Sequence, residues 1–180
     1  MIVVKGDLFE QNVSAICITT NGYWTLRGEA VMGRGVAEQA AKKWPFIKKK
    51  LGYMLNLHGT HVYLLSKKRH VGNHKVPYHV VSFPVKPKMG ISTGKNVVRN
   101  LRSKFPEGKQ VPGYLLRANL KLIKRSAEEL VELADARGWK TVALPKPGCG
   151  AGELKWEAVR EVLKPILKGK RFIIVDYVGG

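Results

Sequence analysis

The sequence predicts an α/β protein with three layers, in which helices cover both faces of a central sheet that is mixed but largely parallel. Short β-branched runs alternate along the chain with segments of helical periodicity, and this alternation is typical of strands joined by crossover helices. The length of 180 residues, 44% of them hydrophobic, is enough to build one core and too short to favour two. We therefore predict a single domain over residues 1–180.

Six runs predict the strands of this sheet. Each is short, rich in β-branched or aromatic residues and bounded by polar turn residues, which favours buried strands. A basic turn separates the third run from the fourth, so we expect these two to form a hairpin or an adjacent pair. The six runs are residues 1–5, 15–20, 61–65, 78–83, 141–144 and 172–175.

Three segments predict the main helices. The first begins at the glycines around Gly33 and keeps helical spacing up to Trp44, where the pattern loses definition before a proline and a run of lysines. The second is long, with apolar residues on one face over 116–134 and Gly138 placed as its C-terminal stop. The third is the amphipathic pattern of residues 156–166.

Positive charge is concentrated in the middle of the chain. The net charge is +19, and residues 42–125 hold 20 of the 32 Lys and Arg but only one of the 13 acids, Glu107. Within this region, residues 87–115 show little periodicity, and we expect a mobile, basic, loop-rich insertion there. Such asymmetry is typical of a surface that binds polyanions, with nucleic acid as the natural partner, although a lysine-rich solvated face gives the same composition.

Other features of the composition narrow the class of protein. Hydrophobic stretches such as 80–85 fall well short of the roughly 20 residues that a membrane-spanning helix needs, and the start of the chain carries no secretory pattern. Only two cysteines occur, Cys17 and Cys149, without the spacing of a zinc site or a disulfide framework. We expect a soluble, cytoplasmic protein with no metal and no cofactor. The sequence leaves the oligomeric state open.

In such folds ligands bind beyond the carboxyl ends of the strands, and three segments of this chain are predicted to lie there. They are residues 5–9 after the first strand, residues 32–36 at the start of a helix, and residues 145–152 between a strand and a helix. The latter two are rich in glycine. Because missing Cβ atoms let backbone amides approach a ligand and helix dipoles favour negative charge, two such turns can bracket a pyrophosphate.

The order and spacing of these motifs resemble the macro domain family over nearly the whole chain, apart from residues 87–115. The matching motifs are Gly6-Asp7-Leu8, the strand end within 15–21, Gly33-Arg34-Gly35-Val36-Ala37, and Leu144-Pro145 followed by Gly148-Cys149-Gly150. Residues 31–37 and 148–157 look like the branch that contains terminal ADP-ribose protein glycohydrolases and DNA ADP-ribosyl glycohydrolase antitoxins. The resemblance implies a macro domain that binds ADP-ribose.

The resemblance also assigns roles to individual residues. Asp7 would accept a hydrogen bond from the adenine amino group and the Leu8 amide would meet a ring nitrogen, although Asp7 also suits a turn or cap. Asn21 would lie near the distal ribose, and Tyr177 against the adenine. Cys149 is more simply a small loop residue, since no base is evident to activate its thiol. The ADP-ribose-binding residues that the resemblance implies are Asp7, Leu8, Asn21, Met32, Gly33, Arg34, Gly35, Val36, Pro145, Gly148, Cys149, Gly150, Ala151, Gly152 and Tyr177.

Lys86 is the leading catalytic candidate. The run 82–86 resembles the segment that carries the catalytic lysine of the DNA-directed branch, where a lysine would attack or electrostatically engage the anomeric carbon of the distal ribose. An alternative register places Lys67 at the same site. The catalytic aspartate of the protein-directed enzymes falls on Gly152, so the adjacent Glu153 is a second candidate, which equally suits the first turn of a helix.

We therefore expect a hydrolase that removes ADP-ribose from a nucleic-acid base by cleaving an N-glycosidic bond, with the basic region 42–125 holding the polynucleotide. Two alternatives within the family stay open. One is a non-catalytic reader of ADP-ribose, and the other is a phosphatase acting on ADP-ribose 1″-phosphate. Outside the family, a basic nucleic-acid scaffold with purely structural glycine loops is also open.

Overall fold

The fold is built from ten strands and four α-helices in the part of the chain that a computed structural model describes, residues 1–71 and 74–178. The strands are β1 (Ile2–Gly6), β2 (Ala15–Asn21), β3 (Tyr63–Ser66), β4 (Arg69–Val71), β5 (His74–Val76), β6 (His79–Lys86), β7 (Met89–Ile91), β8 (Gln110–Pro112), β9 (Val142–Pro145) and β10 (Phe172–Tyr177). The helices are α1 (Gly35–Lys43), α2 (Phe46–His58), α3 (Leu120–Arg137) and α4 (Trp156–Leu163).

Six of the strands form one sheet in the order β1-β10-β9-β2-β6-β3. All neighbours are parallel except β3, which runs antiparallel to β6. The predicted mixed, largely parallel sheet is therefore confirmed, and so is the adjacency of the third and fourth predicted strands. Two separate antiparallel pairs, β4 with β5 and β7 with β8, lie outside this sheet.

Strand β2 separates two hydrophobic cores. Its side chains alternate between the two faces of the sheet, because successive residues of a strand point in opposite directions. Ile16 and Ile18 pack in the core that includes the apolar side chains of α1 and α2, whereas Ala15 and Cys17 pack in the core that includes those of α3 and α4. A helical layer thus covers each face of the sheet, which confirms the predicted three-layer architecture.

The five parallel strands end at one edge of the sheet, which we call the carboxyl rim, and begin at the opposite edge, the amino rim. The neighbours β2 and β9 lead into helices on opposite faces, so their loops diverge over a crevice at the carboxyl rim. β3 ends at the amino rim. The carboxyl rim comprises the strand ends Gly6, Asn21, Lys86, Pro145 and Tyr177, and the amino rim the strand starts Ile2, Ala15, His79, Val142 and Phe172.

One helix of the structure was not predicted from the sequence. The pattern that loses definition after Trp44 continues as a second helix, α2, which begins at Phe46 directly after Pro45. Proline cannot continue α1 but fits the start of a helix. The run of lysines near the start of α2 interrupts the apolar pattern from which its buried face could be predicted. The long helix ends as predicted, with Gly138 in the left-handed conformation. No helix within the described ranges is long and apolar enough to span a membrane.

Residues 87–115, which we call the basic excursion, have more regular structure than their sequence indicates. They contain the β7–β8 pair and two short 3-10 helices, Arg99–Lys104 and Gly113–Leu115. A small hydrophobic cluster holds them together, because Val97 and Val111 are completely buried against Leu116. The expectation of a loop-rich, mobile segment missed this cluster, since its apolar residues follow neither a strand nor a helix period.

Candidate functional site

A cavity of about 630 Å³ opens at the carboxyl rim, between the loop that follows β2 and the loop that follows β9. Its volume falls in the range of sites that enclose small molecules. Most residues that the sequence predicts for the site meet here. The predicted residues that line the cavity are Asn21, Met32, Gly33, Arg34, Gly35, Val36, Lys86, Pro145, Gly148, Cys149, Gly150, Ala151, Gly152 and Tyr177.

The first loop is braced by Asn21 at the end of β2. The side-chain amide of Asn21 donates to the carbonyl of Val31 at 2.9 Å, and its oxygen accepts from the backbone N–H of Tyr23 at 2.8 Å. The loop then enters α1 through Gly35, whose φ of 57° lies in the left-handed region that favours glycine. The first amides of α1 therefore border the cavity, where a helix start attracts anions.

The second loop is shaped by two glycines. Gly148 has a φ of 75°, and its carbonyl accepts from the N–H of Leu154 at 2.9 Å. At Gly152 a Cβ atom would lie 2.5 Å from the Gly148 carbonyl oxygen and 2.6 Å from the Cβ of Ala118. Any side chain at Gly152 would force the loop backbone to move, so the aspartate of the protein-directed enzymes has no room in this conformation of the loop.

Lys86 lies at the end of β6, beside Asn21 on the neighbouring strand, and it is 7% exposed. Its Nζ donates to the carbonyl of Tyr114 at 3.2 Å and to that of Ala151 at 3.1 Å. Burial, aided by the Arg34 guanidinium and opposed by the carboxylate of Glu153, lowers the pKa of Lys86 to about 8. The neutral amine of Lys86 is thus more accessible than that of an ordinary lysine, at the wall of the cavity.

The other catalytic candidates lie elsewhere. Lys67 directly follows β3 and is exposed at the amino rim, across the sheet from the cavity. Glu153 has a φ of 59°, and its carboxylate accepts from the backbone N–H of Arg99 at 2.9 and 3.2 Å. That carboxylate also lies 3.7 Å from Nε of Arg117. Glu153 therefore joins the second loop to the basic excursion instead of lining the cavity.

Asp7 and Leu8 lie outside the cavity lining. The Asp7 carboxylate accepts from the N–H of Phe9 at 2.8 Å and so caps the 3-10 helix Leu8–Glu10, while Leu8 is buried. The preceding residue, Gly6, is paired with Tyr177, which is 68% exposed at the cavity. Asp7 thus occupies the cap position that the sequence allows, next to Tyr177 on the same rim, and its contact with adenine stays a prediction.

Cys149 lines the cavity as a protonated thiol. Burial raises its pKa to about 11, and its Sγ donates to the carbonyl of Pro147 at 3.6 Å. Since the thiolate is the reactive form of cysteine, this residue is not prepared to act as a nucleophile at neutral pH.

Ten residues of the cavity lining are absent from the predicted set: Thr19, Thr20, Val31, Ala37, Val85, Tyr114, Leu115, Lys146, Val175 and Asp176. Tyr114 and Leu115 come from the end of the basic excursion, which no motif linked to the site. Lys146 and Asp176 also line it and form an ion pair at 2.7 Å between the ends of β9 and β10. Lys146 stands within a predicted loop, but Tyr114 is brought in by tertiary packing and carried no sequence signal of its own.

The geometry defines a class of protein: an α/β module with a cleft between two glycine-rich loops at the carboxyl rim of its sheet. The sequence matches no family model and no curated protein. Solved structures do match. The macrodomain of Mycobacterium tuberculosis DarG matches with a TM-score of 0.68 and 20% identity, covering 99% of this chain and 97% of that chain.

Two further structures agree with this match. The macrodomain of Thermus aquaticus DarG gives a TM-score of 0.67 at 19% identity, covering 99% of this chain and 97% of that chain. Thermosipho africanus DarTG in complex with ADP-ribose gives 0.66 at 20% identity, covering 98% of this chain and 42% of that chain. The protein has the macrodomain fold, which confirms the resemblance drawn from its motifs.

Proposed function

We propose that this protein binds ADP-ribose in the carboxyl-rim cavity and hydrolyses the N-glycosidic bond that joins ADP-ribose to a nucleic-acid base. The observation that carries the proposal is the position of Lys86. Its amine, with a pKa lowered to about 8, lies in the wall of a cavity bordered by both glycine-rich loops. A binding pocket and a reactive group thus occur in one place.

The two loops suit a nucleoside diphosphate sugar. The start of α1 and residues 148–152 bring backbone amides to the cavity, and Arg34 adds a positive charge on the same side. The exposed ring of Tyr177 is available to stack on the adenine at one end. Lys86 and Asn21 would then lie at the other end, near the distal ribose.

The chemistry follows from the hydrogen bonds of Lys86. A neutral amine has two N–H donors and one lone pair, and the carbonyls of Tyr114 and Ala151 take up the two donors. The lone pair attacks the anomeric carbon while the base departs with the electrons of the N-glycosidic bond and takes up a proton from solvent. Water then attacks the same carbon, the lysine amine leaves and a proton returns to solvent. The reaction thus consumes one water and yields ADP-ribose and the unmodified base, which stays in its strand.

Two observations favour a nucleic-acid base over a protein side chain as the leaving group. The second loop has no room for the aspartate that the protein-directed branch uses at Gly152. Positive charge is also concentrated in residues 42–125, which suits a substrate that carries phosphates. The structural likeness to the DarG macrodomains agrees with the branch that the sequence motifs resemble.

The proposal is tested by offering three substrates to the native protein: a single-stranded oligonucleotide with ADP-ribose on one base, an ADP-ribosylated protein, and ADP-ribose 1″-phosphate. We expect release of ADP-ribose from the oligonucleotide and calorimetric binding of free ADP-ribose. Binding without release from any substrate would leave a reader, and release of phosphate from the third would indicate a phosphatase. Absence of ADP-ribose binding would remove the proposal.

A further inference from the structure

The basic excursion carries positive charge that the rest of the protein does not neutralise. Residues 87–115 contain six Lys and Arg and a single acid, Glu107. Five of the six, all except Arg102, are exposed. Lys88 and Lys109 lie over the rings of Trp24 and Phe105. For the other three, Lys95, Arg99 and Lys104, no carboxylate within the described residues lies within ion-pair distance of the side chain. Their charges are therefore free to meet an external anion.

The helices of the same basic region differ in this respect. Four of their basic side chains form ion pairs with neighbouring carboxylates, which reduces the field that these helices project into solvent. The pairs are Lys42 with Glu38, Lys48 with Glu29, Lys124 with Glu128, and Arg125 with Glu129. Four of the eight basic side chains that the helices contribute to residues 42–125 are thus paired, whereas none of the six on the excursion has a carboxylate partner within the described residues.

The excursion is joined to both loops of the cavity. On the side of the first loop, the Tyr114 ring meets the Tyr23 ring edge-on at 5.1 Å, and the Lys88 ammonium lies 4.3 Å from the ring centre of Trp24. On the side of the second loop, the Arg99 backbone N–H donates to Glu153. The excursion that carries the unpaired charges is therefore anchored to both loops of the cavity.

A single-stranded polynucleotide fits this surface better than a duplex or an acidic protein. Binding of single strands combines cations that follow the phosphates with aromatic rings near the bases. Tyr114 lines the cavity, and the partly exposed rings of Tyr23 and Trp24 contact the excursion. A base that must enter a cavity is also extruded at lower cost from a single strand than from a duplex.

We infer that the basic excursion is a docking surface for the phosphate backbone of a single strand, with Lys95, Arg99 and Lys104 contacting phosphates next to the nucleotide at the cavity. The inference rests on the proposed function for what enters the cavity, but the docking surface itself does not require turnover. It places the polynucleotide on residues 87–115 and leaves the lysines of the amino rim without a role in binding.

The test compares two triple variants that remove the same charge. One is Lys95→Gln, Arg99→Gln and Lys104→Gln; the matched control is Lys140→Gln, Lys168→Gln and Lys170→Gln, whose exposed side chains lie at the amino rim. Binding of an unmodified single strand of about twelve nucleotides is measured over a range of salt concentrations. The excursion variant should bind about ten- to a hundred-fold more weakly at low salt, with the slope of log K against log salt smaller by about 2 for three lost phosphates.

Further measurements separate the loss of the docking surface from damage to the cavity. Free ADP-ribose should bind the excursion variant as tightly as the native protein, which shows that the cavity is intact, and a Lys95→Arg, Lys104→Arg variant should keep oligonucleotide binding. Equal losses in the two triples, tighter binding of a duplex of the same length, or no binding of the strand by the native protein would each overturn the inference. If no substrate is hydrolysed but only the excursion triple loses strand binding, the proposed function fails and the docking surface stands.

Discussion

The two rims of the central sheet place the same residue type in opposite environments. At the carboxyl rim Lys86 is buried, donates to two backbone carbonyls and has a pKa lowered to about 8. At the amino rim Lys67 is exposed to solvent. The difference arises because the loops after β2 and β9 close over the end of β6, whereas β3 leads Lys67 out of the sheet at the other edge.

This difference shows that the surroundings of a lysine determine whether its amine is a candidate for catalysis. Removing an ammonium from water disfavours the charged form, and a neighbouring guanidinium disfavours it further. Both conditions hold only where Arg34 of the first loop and the second loop converge on Lys86. Three experiments test this difference between the rims.

The largest effect is expected from replacing each lysine by methionine. Lys86→Met removes the amine from the cavity wall with little change in volume. We expect the rate of ADP-ribose release to fall by at least about 10²- to 10³-fold, because the loss of a single stabilising donor in a preorganised site already costs that much. Lys67→Met should change the rate less than about twofold, because exposed substitutions far from a site have small effects. Single-turnover release of ADP-ribose measures both.

Binding of free ADP-ribose controls for folding, since both variants should keep native affinity. Equal rates for the native protein and Lys86→Met would remove the amine from the mechanism and return Lys86 to a structural role. A loss of ADP-ribose release confined to Lys67→Met would assign the reaction to the amino rim instead of the carboxyl rim.

A smaller effect is expected from a methyl group at the second loop. In Gly152→Ala the added Cβ meets the Gly148 carbonyl and Ala118, so we expect a loss of about 1–3 kcal/mol in stability, the cost typical of overpacking. The melting temperature should fall by about 2–4 °C for each kcal/mol in a chain of this size. Gly150→Ala is the matched control, because a Cβ at Gly150 meets no atom within 4 Å. Thermal unfolding that is equally affected in both variants would contradict the close approach at Gly152.

The smallest effect is a shift in the pH profile. If the neutral amine reacts, kcat/KM should rise with pH and level off above the Lys86 pKa of about 8. Arg34→Gln removes a cation that lowers this pKa, so its midpoint should move to higher pH. Glu153→Gln removes an anion that raises the pKa, so its midpoint should move to lower pH. A rate that falls as pH rises through 8 would show that the charged ammonium is the active form.

Much of the fold can be predicted from the sequence, because the spacing of apolar residues indicates which face of a strand or helix is buried. The six strands of the central sheet, the long helix and its stop at Gly138 follow from alternation, helical spacing and one glycine. Helix α2 was missed because Pro45 and the adjacent lysines interrupt the pattern at its start. The sequence predicts a loop-rich segment for the basic excursion, because the apolar residues of the small cluster around Val97 follow neither helical nor strand periodicity.

The candidate site, like the fold, could be predicted from the sequence only in part. The glycine loops could be located from sequence, since turn geometry and helix starts are local properties of the chain. The sequence left Lys86 and Lys67 as alternatives, because a motif register does not specify which edge of a sheet a residue reaches. Tyr114 had no signal at all, since its place in the cavity depends on how the excursion packs against Tyr23.

The layers, the largely parallel sheet, the two glycine-rich turns and the excess of positive charge all follow from local composition and spacing in the chain. Three features emerge only from the folded molecule: the two turns border one cavity, Lys86 is buried between them, and Glu153 joins the excursion to the second loop. The physical reason is that desolvation, pKa and charge compensation depend on which distant segments are in contact, and contacts between distant segments leave no periodic pattern in the chain.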